Sequence, residues 1–336
     1  MKVDVLLEKI IGIPSFTMEE TAMSLFLESY CKQKGYKIFR DEWGNVFVTK
    51  GETVGFYPCV TSHLDTVFPI PPASIHVYNN RLYGLDKNGD RSGVGGDDKT
   101  GVWICLKLLE QFKVLKAAFY VGEESMMYGS TRSSNEFFKD VGYCIAFDCP
   151  SGNIIGYSSQ GVRLFENSGP FTDTAWGILS KRGYDKMQDH PYTDILRIKE
   201  RNGFQTMNIG SGYYNLHSSQ ELIHLEEMEN CLAAGTEIIA NLGQKYYAYL
   251  NKNSTPPIPV TQSVPTDFYD CESLMSLSHG TIQTMRKNNV HSLQQLYEIG
   301  QHSPHKAAEF HRDALSEQTK ELKRMKKWAK TKTFCE

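Results

Sequence analysis

Apolar and polar positions follow two rhythms along the first 250 residues. From Thr17 to Lys34 the spacing is helical, with Ala22, Leu25, Phe26 and Tyr30 able to share one face. Thr17 and Glu20 form a candidate capping box, and Gly35 is placed to end the helix. Short strands are predicted over 36–39 and 46–49, with Trp43, Gly44 and Asn45 as the turn between them. Further apolar runs over 56–61, 117–121 and 143–147 read as buried strands. Residues 100–112, 131–138 and 230–242 read as helices. Strands alternating with helices predict an α/β fold, a mostly parallel twisted sheet flanked by helices on both faces.

The pattern changes after this first domain candidate, residues 1–250. Residues 251–267 hold Pro256, Pro257, Pro259 and Pro265 and read as a linker. Residues 268–336 predict a small all-helical C-terminal region, with candidate helices over 280–288, 292–299 and 304–332. Its last stretch is lysine-rich. A solvated helix packed on the first domain is the simpler reading, and binding to nucleic acid or an acidic partner the sharper one.

The formal net charge of −3 favours no anionic or cationic partner overall. No run approaches the roughly 20 apolar residues of a membrane span. The start, MKVDVLLEKIIGIPSF, carries Asp4 and Glu8 and reads as an amphipathic helix, so no secretion signal is expected. The eight cysteines include no CxxC pair, and Cys59, Cys105, Cys144 and Cys231 lie in apolar surroundings. Buried free thiols and a cytoplasmic setting are the expectation.

Chemistry concentrates in five short segments. In TSHLDTV, His63 and Asp65 are two apart after a strand and point the same way, so Asp65 can orient the imidazole. In GVGGDDKTG, glycines let backbone approach a ligand, and the adjacent carboxylates Asp97 and Asp98 call for a cation. A glycine-rich turn with an aspartate cap is the bland alternative; a phosphate loop is disfavoured because two acids would repel the anion. VGEES carries Glu123 and Glu124 at a strand end, one able to bind metal while the other faces water. AFDCP places Asp148 where open α/β sheets hold their sites. SGYYNLHSS brings His217 in a loop rich in glycine and tyrosine. Each segment has an ordinary turn or packing explanation. Together His63, Asp97, Glu124, Asp148 and His217 supply nitrogen and oxygen donors suited to zinc.

The order HxD, GxDDKxG, Glu-Glu, Asp after a strand and a late His resembles the zinc exopeptidase superfamily that includes peptidase T, carboxypeptidase G and the bacterial zinc aminopeptidases. IIGIPSFTMEE and DEWGNVFVTKG resemble its N-terminal pieces, and the likeness spans about residues 4–245. The resemblance implies two Zn2+ per chain, with Co2+ or Mn2+ able to use the same ligands. It implies that His63 and Asp148 hold one ion, Glu124 and His217 the other, and that Asp97 bridges them. Asp65 would orient His63, Glu123 would be the general base, and the peptide after Asp97 would be cis. The insertion of a lid domain found near peptidase T does not fit between Asp148 and His217, where GPFTDTAWG resembles the single-domain aminopeptidase branch. The lid's substrate-gripping and dimer residues therefore do not transfer, and a homo-oligomer stays open.

The function implied is hydrolysis of a peptide bond by a metal-activated water, as an aminopeptidase or a di- or tripeptidase. An N-acyl-amino-acid deacylase needs the same chemistry, and a non-enzymatic binding protein on this fold is the third reading. Tyr213 or Tyr214 could donate to an oxyanion, and Arg163 could grip a substrate carboxylate; packing and surface roles compete for each. His76, His190 and His224 read as ordinary packed or surface histidines.

Overall fold

A computed structural model describes residues 3–190 and 192–250. The linker and helical region expected over 251–336 lie outside the described residues. In chain order the elements are α1 (Val5–Ile11), α2 (Thr21–Gln33), β1 (Lys37–Arg40), β2 (Val46–Lys50), β3 (Tyr57–His63), β4 (Ser74–Tyr78), β5 (Arg81–Leu85), β6 (Arg91–Ser92), α3 (Gly96–Gln111), β7 (Leu115–Tyr120) and α4 (Tyr128–Arg132). There follow β8 (Val141–Cys149), β9 (Ile154–Ser159), β10 (Val162–Arg163), α5 (Pro170–Leu179), β11 (Lys186–Asp189), α6 (Asp194–Arg201), β12 (Gln205–Gly210), β13 (Tyr213–Tyr214), β14 (Leu222–His224) and α7 (Leu225–Leu242).

The main sheet runs β1-β2-β7-β3-β8-β12-β9-β10, with β11 also on β9. Its centre, β7-β3-β8-β12, is parallel. Antiparallel pairs lie toward the margins; β1 and β2 are antiparallel because the short turn that joins them cannot cross over. In that turn Gly44 adopts φ 99°, and Asp41 Oδ1 accepts the N–H groups of Trp43 and Asn45. β3, β7 and β8 are buried along their full length, as strands covered on both faces must be. α3 packs on β3, β7 and β8 beside α1 and α7, while α6 packs on β3, β8 and β12 with α4 next to it. Cys59, Cys105, Cys144 and Cys231 are buried free thiols. No helix among the described residues is long and apolar enough to cross a membrane.

Local readings are corrected in three places. The capping box does not form: α2 begins at Thr21, Thr17 Oγ1 donates to the Thr66 carbonyl, and Glu20 binds amides elsewhere. The helix expected over 131–138 breaks into α4 and a 3-10 turn at Glu136–Phe138. A second sheet, β13-β14-β5-β4 with β6 on β5, was absent from the pattern reading because its strands are short and half-exposed. Among the described residues the interval from Asp148 to His217 folds no separate lid; β9 and β12 from it join the main sheet.

Candidate metal centre

Three parallel strands deliver their chemistry at one edge of the sheet. His63 is the last residue of β3, Glu123 and Glu124 follow the end of β7, and Asp148 is next to last in β8. Carboxyl edges of parallel strands are where such folds gather their sites. The β8–β12 register shifts between Asn208 and Gly210, beside Asp148. There the Asn208 side chain takes over, accepting the Asp148 N–H at 2.9 Å and donating to its carbonyl at 3.3 Å.

Asp97 enters from the start of α3, where Asp97 and Asp98 have non-helical backbone angles and the peptide between them is cis. Asp98 turns inward, accepting the Gly101 N–H at 3.1 Å and the His63 N–H at 3.3 Å. A side chain at Gly101 would sit 2.4 Å from that carboxylate, so only glycine fits there. His217 comes from the loop between β13 and β14, at φ 60°.

These residues converge on Asp97. Its Oδ1 lies 3.1 Å from His63 Nε2 and its Oδ2 lies 3.2 Å from His217 Nε2. His63 Nε2 is also 3.5 Å from Asp148 Oδ1, and His217 Nε2 is 2.5 Å from Glu124 Oε1. His63 with Asp97 and Asp148 forms one group of donors close enough for a metal ion, and Asp97 with Glu124 and His217 forms a second. His63, Glu123 and Glu124 form a third, overlapping group.

Such crowding of acids in a buried place is electrostatically costly. Burial, opposed by His63 and reinforced by Asp148, Glu124 and Asp194, pushes Glu123 well above the carboxylate range. Burial and Asp97 raise Glu124 to about 7 against the pull of His217. For Asp97 burial acts upward, yet His217 and His63 on its two oxygens hold it low. Glu123 Oε1 is buried with no hydrogen-bond partner among the described residues. Nitrogen and oxygen donors around acids that repel one another suit divalent cations.

Asp65 does more than face the imidazole. Its Oδ1 is 3.3 Å from His63 Nδ1, and its two oxygens also accept the N–H groups of Glu123 at 2.9 Å and Glu124 at 3.1 Å. Thr193 Oγ1 donates to Asp148 Oδ2 at 2.8 Å. Glu221 accepts the N–H groups of Gly95 at 2.6 Å and Asp97 at 3.2 Å. Thr193, Asn208 and Glu221 escaped the sequence reading; the only hint was an acid four residues after His217.

Two substrate candidates are not brought to the centre. Adjacent strand residues face opposite ways. Tyr213 is buried beside Asp97, Asp148 and Asp98, whose charges add to burial in raising its phenol. Tyr214 instead donates to Glu227 on α7 at 2.6 Å. Arg163 lies on β10 at the sheet margin, over the Tyr157 ring, and the neighbouring Leu164 carbonyl accepts from Thr206 in the first half of β12, away from the carboxyl edge. His76 pairs with Ser74, and His190 with the Tyr192 carbonyl, outside the cluster.

No protein-family model matches the sequence, and no curated protein matches it. Solved structures do match in three dimensions. Aminopeptidase PepT from Bacillus cereus superposes with TM-score 0.61 at 14% identity, over 70% of this chain and 97% of that one. A tripeptidase from Staphylococcus aureus gives 0.54 at 15% identity, over 69% and 95%. A TET peptidase of Pyrococcus horikoshii, which can assemble into a tetrahedron or a large octahedral shell, gives 0.54 at 15% identity, over 69% and 97%. The chain therefore has the α/β fold of these peptidases, the fold that its five segments imply.

Proposed function

We propose that this chain is a metal-dependent exopeptidase of the aminopeptidase or di- and tripeptidase kind, using two zinc ions. The observation that carries the reading is Asp97, whose two oxygens face two different imidazoles. The donor set fits two ions: His63 and Asp148 would hold one, Glu124 and His217 the other, with Asp97 shared. Co2+ or Mn2+ would fit the same donors. Bound there, the ions would polarise the scissile carbonyl and bring a water's pKa toward neutrality.

The chain's own residues supply the rest. Glu123 belongs to neither of the two groups that share Asp97, and its buried Oε1 has no partner among the described residues. It would take the proton of the attacking water and pass it to the leaving amine. Asp65 would hold both Glu123, through its amide, and His63, through the ring. Tyr213, buried beside the acids, is the remaining candidate donor to the oxyanion. A homo-oligomer is proposed only by likeness to the assembling TET peptidase.

The test is cleavage of a peptide panel with free and N-acetylated members, read by mass spectrometry, with chelated and Glu123→Ala samples alongside. Metal-dependent trimming of free N-termini is expected. Cleavage of blocked members alone would replace this reading with a deacylase, and no cleavage by the metal-loaded chain would overturn it.

A further inference from the structure

The turn that carries Glu123 and Glu124 has no strand partner of its own, because β7 ends at Tyr120. Its main-chain donors are met one after another by side chains from the first 65 residues. Val121 N–H donates to Asn45 Oδ1 at 3.0 Å and Gly122 N–H to Glu20 Oε1 at 2.9 Å. Glu123 and Glu124 then donate to the two oxygens of Asp65, at 2.9 and 3.1 Å. A buried N–H without an acceptor is strongly disfavoured, so these side chains define where the turn can rest. Asp65 is already tied to His63, and Asn45 to its own turn through Asp41.

Glu20 has neither duty. Its carboxylate is buried, it does not cap α2, and the same Oε1 also accepts the Met18 N–H at 2.7 Å. It spans 102 positions of sequence to reach Gly122, which turns the chain at φ 62° immediately before the two acids. We propose that Glu20 is a positioning residue for Glu123 and Glu124, acting by fastening the Gly122 amide from which their turn departs. The N-terminal segment is thereby part of the catalytic scaffold, not merely a helix start. This inference rests on the reading of Glu123 as the base.

Amide exchange by mass spectrometry on the full chain, with and without Zn2+, tests the fastening apart from activity. In Glu20→Ala, exchange in a peptide spanning 121–124 should quicken by about tenfold while one spanning 57–63 stays unchanged, the mark of a local opening. With Zn2+ bound, kcat should fall by roughly tenfold to a hundredfold, the penalty of small misplacement, with KM and zinc content near wild type. Glu20→Gln keeps the accepting oxygen and should restore both readouts. Glu20→Asp, which retracts the carboxylate by one methylene, gives the same test should Glu20→Ala not fold. Unchanged exchange over 121–124 would overturn the proposal, as would a fall in kcat that only tracks lost zinc. A wild type that hydrolyses no peptide, with exchange behaving as expected, would overturn the peptidase reading and leave Glu20 as a fastener of the turn.

Discussion

Asp65 stands with one oxygen 3.3 Å from His63 Nδ1 while that same oxygen accepts the main-chain N–H of Glu123 at 2.9 Å. One buried carboxylate thus ties the end of β3 to the turn after β7. Asp65→Asn keeps the size but sets an NH2 group against an N–H donor. It should lower metal affinity or kcat by about tenfold to a hundredfold, the usual cost of disturbing a group behind a metal ligand. Steady-state kinetics with metal analysis checks this; wild-type values for both would remove Asp65 from the scaffold.

Glu123→Gln removes the proposed base but preserves shape. Metal content should stay, and kcat should drop by about 10²–10⁴, the range general base catalysis supplies. A variant within a few-fold of wild type would assign the proton transfer elsewhere.

Asp97 and Asp148 should separate by stoichiometry. Asp97 lies in two donor groups whereas Asp148 lies in one. Asp97→Ala should therefore lose both ions and Asp148→Ala one, measured by elemental analysis after dialysis. Equal losses would argue against a shared ligand.

Glu221 gives a pH signature. Burial and the nearby Asp97 raise it from 4.5 to about 8, partly offset by the amides of Asp97, Gly95 and Gly96. The folded chain then holds a proton that the unfolded chain releases, so this contribution to stability is fully present below about pH 4.5 and is lost as the pH rises through about 8. Glu221→Gln cannot titrate. In chelator, its Tm relative to wild type should climb between pH 5 and 8, on top of any constant penalty from its NH2 group. A Tm difference that stays flat with pH would show that Glu221 is ionised alike in both states across that range.

The sequence alone determined three of the strands buried on both faces and the residues proposed to hold the metal. β3, β7 and β8 announce themselves through the apolar runs over 56–61, 117–121 and 143–147, because strands covered on both faces tolerate little else. The candidate ligands His63, Glu124 and Asp148 are legible because donors of the right type stand at or just past the ends of those runs, and Asp97 and His217 because they lie in short glycine-rich segments. Only the tertiary structure decided how they meet. That Asp97 turns one oxygen to each imidazole depends on where α3 begins relative to β3 and the β13–β14 loop, which no local spacing encodes. Likewise Glu20 looked like a cap for its own helix, since capping is a matter of neighbours in sequence. Folding instead set the Gly122 amide within 2.9 Å of it, a partner 102 positions away that exists only once the sheet has formed.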